Sequence, residues 1–175
     1  ELAPALYSKV TCRLIEAEPT LAETQAKMLA AHSAHLAWSS PAELAAGTLS
    51  ITGCILSNEL VDALPVHIVE MTGSGLQEVL VSVDEDQFCE KLSPFLTPDI
   101  EKFLEKAGAS LAVGQRAEIR LAADNWITAV ATSLQRGFVI TIDYGYLAAE
   151  LYSPMRKNGT LLCYYKHQRE ENPYI

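Results

Sequence analysis

The stretch that most constrains this chain is residues 50–67, S-I-T-G-C-I-L-S-N-E-L-V-D-A-L-P-V-H. Ile51, Cys54, Ile55 and Leu56 make an apolar run of strand length. The run turns polar at Ser57, Asn58 and Glu59, and Asp62 and Pro65 follow closely. An apolar strand that ends in Asn-Glu and breaks at a proline is how open α/β sheets present side chains. Ligands of such sheets bind beyond the carboxyl ends of the strands. An amide beside a carboxylate offers donors and acceptors there that core packing does not require. The same residues also read as a helix N-terminal turn, with Asn58 as cap and Glu59 and Asp62 favoured by the helix dipole.

The flanking pattern supports a sheet. Val10, Cys12, Leu14 and Ile15 read as a strand that ends on Glu16 and Glu18 and stops at Pro19. Thr20 and Glu23 predict a capping box for a helix over 21–32, with Leu21, Gln25, Met28 and Leu29 on one side. Residues 34–38 form a short apolar piece ending at Trp38. Residues 41–46 are a helical turn closed by Gly47. Alternating strands and helices predict a parallel sheet with right-handed crossovers.

After Pro65 the pattern changes. Residues 66–71 and 76–83 alternate with period two around Thr72-Gly73-Ser74-Gly75, a hairpin signal. No helix follows these glycines, so they are not a phosphate loop. A turn at Asp84-Glu85-Asp86 leads into 87–92. Thr97-Pro98-Asp99 starts a helix with proline first, Ile100, Phe103 and Leu104 as its buried stripe and Gly108 as its end. A strand is expected over 115–121. An amphipathic helix over 124–136 places Trp126, Ala129, Val130 and Leu134 on one face and ends at Arg136-Gly137. Residues 138–142 read as a fully buried strand ending in Asp143-Tyr144-Gly145. A short helix over 146–152, a turn at Asn158-Gly159, a last strand over 160–167 and a fraying polar tail complete the chain.

Composition narrows the function. The chain has 175 residues, of which 49% are hydrophobic, which suits one domain with a small excursion. No window has the apolar length of a membrane span. The net charge of -9, with no basic block, argues against nucleic acid and favours a basic protein or cationic side chain as partner. Cys12, Cys54, Cys89 and Cys163 are far apart and read as buried free thiols in a reducing compartment. Without C-x-x-C or H-E-x-x-H spacing no metal site is expected. No G-x-S-x-G elbow and no Walker-type loop is present.

Four stretches carry a family resemblance. N-E-L-V-D-A-L-P-V-H at 58–67 resembles the signature of the MidA (DUF185-type) family of S-adenosylmethionine-dependent methyltransferases of bacteria and mitochondria. L-I-E-A-E-P-T-L-A-E-T-Q at 14–25, R-G-F-V-I-T-I-D-Y-G at 136–145 and G-T-L-L-C-Y-Y-K-H at 159–167 agree in order. The resemblance implies a class I methyltransferase fold, a Rossmann-like, doubly wound, mostly parallel sheet with an antiparallel hairpin-plus-helix insertion. Residues 1–65 would hold the second to fourth strands, 66–121 the insertion, and 122–175 the fifth and sixth strands. The family's glycine-rich loop is not found before Glu16, nor its closing Asp-Ile-Thr segment after 175. The chain is therefore expected to be a piece of a longer enzyme and not competent alone.

Residue roles follow from the resemblance. Glu16 would accept both ribose hydroxyls of S-adenosylmethionine, since two donors need two acceptors. It also reads as a solvated strand-end charge. Trp38 would stack on adenine, or serve as an ordinary core or lid aromatic. Asn58 and Glu59 would face the methyl group and its acceptor. Glu59 and Asp62 would orient a guanidinium, as mitochondrial members are associated with arginine methylation of a respiratory complex I subunit. Asp62 also reads as a brace for the D-A-L-P turn. Asp143, Tyr144 and His167 are second-tier candidates, and His67 is structural. The implied compartment is the cytoplasm in a bacterium or the mitochondrial matrix in a eukaryote. A non-catalytic assembly module that kept the fold is the alternative, with a small-molecule methyltransferase third.

Overall fold

The computed structural model describes residues 3–94, 97–166, 168–170 and 172–174. Its elements in chain order are α1 (Pro4–Tyr7), β1 (Cys12–Ile15), α2 (Pro19–Met28), β2 (Leu36–Ser39), α3 (Pro41–Ala45), β3 (Ile51–Asn58), β4 (His67–Thr72), β5 (Gly75–Asp84) and β6 (Gln87–Ser93). There follow α4 (Asp99–Ala107), β7 (Arg116–Ile119), α5 (Leu121–Ser133), β8 (Leu134–Ile142), α6 (Ala148–Leu151), β9 (Cys163–Tyr165) and β10 (Gln168–Glu170). They fall into two compact units, one of Glu1–Leu56 with Asn125–Ile140, the other of Ser57–Asp124 with Thr141–Ile175.

In the first unit β1 and β2 pair in parallel, Cys12 opposite Leu36 and Ile15 opposite Ser39. Helix α2 connects them with Pro19 at its first position. Proline suits that position because its missing N–H is one of the orphan donors of a helix start. The expected Thr20–Glu23 capping box does not form: Glu18 is the N-cap, with no side-chain cap bond. Nor does α2 reach residue 32, since a 3-10 turn takes over at Ala30–His35. Its expected apolar side is open, with Leu21 and Met28 exposed. A capping box does form at α3, between Ser40 and Glu43.

Strand β3 pairs with β8. Arg136-Gly137 therefore lies inside a strand and does not end a helix; α5 stops at Ser133, where the β-branched and aromatic run F-V-I-T-I takes over. Gly137 is required there, because a Cβ at that position would collide with the Gly53 carbonyl. Of the expected helix face, Val130 is buried and Trp126 and Ala129 are partly buried, while Leu134 already belongs to β8. Residues 138–142 are not buried: Phe138 is 76% exposed and Ile142 54%. Among the described residues β8 has one strand neighbour, and a strand is buried on both faces only where both are covered.

The second unit holds a four-stranded antiparallel sheet, ordered β6-β5-β4-β7. Its hairpins turn at Gly73-Ser74 and at Glu85-Asp86, as the sequence predicts. Val69, Ala117 and Ile119 of the sheet pack with Ile100 and Leu104 of α4, Leu111 and Tyr152. Burying Ile100 or Ile119 contributes roughly 1.5–3 kcal/mol each. Helix α4 begins one residue later than expected, with Pro98 as N-cap, and ends at Gly108 in the left-handed conformation. Buried Gln115 ties this core together, donating to the Tyr152 and Ser153 carbonyls and accepting from the Ala112 amide.

The architecture is thus α/β with mixed parallel and antiparallel pairing, the described strands falling into four sheets, β1-β2, β3-β8, β6-β5-β4-β7 and β9-β10. The expected last strand over 160–167 is a hairpin arm, β9 with β10, so the tail expected to fray carries a strand. The four cysteines are free thiols, but Cys12 and Cys54 are exposed and Cys89 and Cys163 half-buried. The two exposed ones sit on two-stranded ladders, which offer little cover.

Candidate functional site

The sequence candidates fall into two groups, one in each unit. In the first unit Glu16 directly follows β1, half-buried. Its Oε1 accepts from the Glu18 amide at 3.1 Å and its Oε2 from Gln25 Nε2 at 2.8 Å. The Gln25 carbonyl oxygen in turn accepts the Trp38 indole N–H at 3.0 Å. Gln25, on α2, therefore connects the ends of two adjacent parallel strands. The Glu18 amide and then the Gln25 side chain hold the Glu16 carboxyl below the usual carboxylate range. An ionised carboxylate has about four acceptor positions, so each oxygen retains capacity for a further donor.

In the second unit the chain leaves β3 through Glu59, whose φ of 48° is left-handed. That conformation is uncommon for a residue with a Cβ and marks a site where surrounding bonds fix the backbone. One of them is from the Glu59 amide to the Ile142 carbonyl, 2.9 Å. After this turn the amides of Val61 and Asp62 both donate to Asp143 Oδ2, at 2.9 and 3.2 Å. The Tyr144 amide donates to Asp143 Oδ1 at 2.9 Å. Desolvation pushes the Asp143 carboxyl up, but these three amides and the Arg120 charge outweigh it and hold it low.

The Tyr144 hydroxyl donates to Asp62 Oδ2 at 2.5 Å. That bond, and then the charge of Asp62, push the Tyr144 phenol up to about 12. The other oxygen, Asp62 Oδ1, is buried and accepts no hydrogen bond among the described residues. Arg120 Nη2 donates to the Asp62 carbonyl at 3.3 Å. Glu59 and Asn58 are exposed, and no hydrogen bond to the Glu59 carboxylate is found among the described residues. His167 lies outside the described residues. His67 holds Glu78, with Nδ1 2.6 Å from a carboxylate that is itself buried, in line with a structural part.

A family model described as "Putative S-adenosyl-L-methionine-dependent methyltransferase" matches residues 1–175. The chain belongs to this methyltransferase family. S-adenosylmethionine is the family's cofactor. Two crystal structures of COG1565 superfamily proteins from Burkholderia thailandensis are similar to the chain. One, bound to S-adenosyl-homocysteine, has a TM-score of 0.78 and 28% identity, covering 94% of this chain and 42% of that one. A native structure gives a TM-score of 0.79 and 28% identity, with 94% and 44% covered. The chain thus spans less than half the length of these two proteins. No curated protein matches it.

In this member of the family, the fold brings together Asp62, Asp143 and Tyr144, with Glu59 anchored next to them, and separately joins Glu16 to Trp38 through Gln25. Sequence reasoning missed two participants. On the sequence Gln25 is one residue of a helix face with no role, but its position about two turns into α2 lets it reach back to the strand end. Arg120 follows a strand as a lone cation and gives no motif. Among the described residues no group of three or more His, Cys, Asp or Glu side chains could hold a metal ion. No described helix is long and apolar enough to cross a membrane.

Proposed function

We propose that the intact protein is an S-adenosylmethionine-dependent methyltransferase of MidA type that methylates a cationic side chain, an arginine of a partner protein during assembly, such as a respiratory complex subunit. In this reading residues 1–65 and 122–175 belong to a Rossmann-like, doubly wound core and 66–121 to its insertion. The observation that carries the cationic acceptor is the exposed Glu59 carboxylate, which has no hydrogen-bond partner among the described residues and directly follows β3 next to the turn of Asp62 and Asp143. A carboxylate oxygen without a donor suits a guanidinium or ammonium N–H.

The residues present fit the nucleoside part of the cofactor. Glu16 is ionised and has acceptor positions left for ribose hydroxyls, and Trp38 is half-exposed with its N–H already occupied by Gln25, which leaves its ring face for adenine. The bound cofactor supplies an electrophilic methyl group on a sulfonium centre. Asn58, exposed at the end of β3, would lie toward that methyl. Glu59, with the negative charge of Asp62 behind it, would orient the acceptor cation, and Asp143 fixes the turn that carries Asp62. Tyr144, with its phenol pushed up to about 12, stays a neutral donor and does not serve as base. The proton released from the methylated nitrogen passes to the Glu59 carboxylate. Alignment and charge compensation are the enzyme's main contributions to such a displacement.

Mass spectrometry of the partner from cells carrying native protein or Glu59→Gln tests this. A steep fall in methylation with cofactor affinity retained is expected. Equal methylation with Gln at 59 would remove Glu59 from the mechanism, and no methylation with either version would favour an assembly module.

A further inference from the structure

We infer that Gln25 is a positioning residue of the nucleoside site: its side-chain amide, locked between Trp38 and Glu16, aims the Glu16 carboxylate at a vicinal diol. The inference rests on the reading that Glu16 meets the ribose hydroxyls and Trp38 the adenine.

The chemistry of the three side chains fixes the direction of this relay. An indole N–H can only donate, and an ionised carboxylate can only accept. The Gln25 amide therefore turns its oxygen to Trp38 Nε1, at 3.0 Å, and its nitrogen to Glu16 Oε2, at 2.8 Å. A flipped amide would set N–H against N–H at one end and oxygen against oxygen at the other. Trp38 thus determines which atom of Gln25 faces Glu16. All three belong to the first unit and come from different places in it: Glu16 follows β1, Gln25 lies on α2 and Trp38 on β2.

The last torsion of a glutamate side chain is soft, so a single hydrogen bond leaves the carboxylate plane free to swing. Here both oxygens are tied. The Glu18 amide holds Oε1 at 3.1 Å, and Gln25 holds Oε2. Of about four acceptor positions on a carboxylate, about two are left, one on each oxygen. Two coplanar acceptors with a fixed orientation match two neighbouring hydroxyls. The carboxylate is not enclosed, so a ligand reaches these positions from solvent. After the Glu18 amide, Gln25 also helps to hold the carboxyl low, which keeps it ionised and acceptor-only. Without Gln25 the carboxylate keeps its charge and its place at the strand end but loses its orientation.

The test uses two ligands, S-adenosyl-homocysteine and the analogue that lacks both ribose hydroxyls, titrated calorimetrically into the full-length protein. The ratio of the two affinities is the readout. Gln25→Met keeps side-chain length and helix propensity and removes the amide. It is expected to weaken S-adenosyl-homocysteine about five-fold and to leave the analogue within about two-fold of native. Trp38→Phe keeps a ring, removes the N–H and is expected to lower the ratio in the same direction; it decides the matter if Gln25→Met does not fold. An equal loss for both ligands in Gln25→Met, no loss for either, or an unchanged ratio in Trp38→Phe overturns the proposal. Glu16→Ala tells this failure from failure of the underlying reading. A ratio lost in Glu16→Ala but kept in Gln25→Met overturns the role of Gln25 alone. A native protein that binds both ligands equally, or a ratio unchanged in Glu16→Ala, overturns the ribose reading and the proposal with it.

Discussion

The Asp143 side chain is joined to the Asp62 main chain and not to its carboxylate: Asp143 Oδ2 accepts the Asp62 amide at 3.2 Å, which leaves the Asp62 carboxylate for Tyr144. Each acid therefore has a separate task, Asp143 building the turn and Asp62 holding the Tyr144 hydroxyl.

The Tyr144–Asp62 bond sets a pH dependence. The phenol is raised from 10.0 to about 12 in the folded protein. Its contribution to stability is fully present below the unfolded value near 10 and is lost as pH rises through about 12. Asp62→Asn is expected to bring the Tyr144 ionisation back toward the ordinary phenol value. Ultraviolet difference titration against Tyr144→Phe checks this, and an unchanged titration in Asp62→Asn would refute the assignment.

Gln25 gives a prediction on the other unit. Gln25→Leu removes the acceptor of the Trp38 indole and a donor of Glu16. Trp38 fluorescence should change in position, read against a Trp126→Phe background that leaves Trp38 as the one tryptophan. In the intact protein, Glu16→Ala should weaken S-adenosylmethionine about ten-fold or more while shifting the melting temperature little. Loss of melting temperature with affinity retained would mean that Glu16 is a structural strand-end group.

Gly137→Ala is expected to be severely destabilising, by at least about 3 kcal/mol, because its methyl group meets the Gly53 backbone and not a side chain that can move aside. Denaturant unfolding measures the loss. A midpoint equal to that of the native protein would show that the two strands are not in close approach.

Glu118→Ala removes the acceptor of four hydrogen bonds to Thr160 and Leu161 and should cost about 2–3 kcal/mol. Glu118→Gln keeps one acceptor oxygen and should lose less. Hydrogen exchange at the amides of Thr160 and Leu161 should rise in both variants, more in the alanine one.

How far the sequence reaches depends on how local the cause is. Gly73-Ser74 and Glu85-Asp86 turn the chain where glycine and clustered acids say it must turn, and Gly108 ends α4 by its own backbone freedom. Pro19 marks a boundary correctly, yet its sense is reversed: it begins a helix and does not merely stop a strand. The apolar run 138–142 identifies a strand but cannot say what lies on either side of it, so its exposure was not legible. Glu16, Asp143 and Tyr144 stand out as candidates because they are polar groups at strand ends, and Asp62 because it shares the N-E-L-V-D-A-L-P stretch, whereas Trp38 is a candidate only through the family resemblance. Gln25 and Arg120 do not, since a glutamine within a helix and an arginine after a strand are ordinary until the fold sets them beside a carboxylate.

The anchoring of Asp143 on two consecutive amides has a consequence for variation. A contact made to the main chain is indifferent to the side chain that the main chain carries. Position 61 can thus change from valine to many other residues while the turn persists, with proline as the clear exception because it brings no N–H. Asp143 itself has no such latitude. Substitution histories at these two positions should accordingly be unlike, permissive at 61 and narrow at 143.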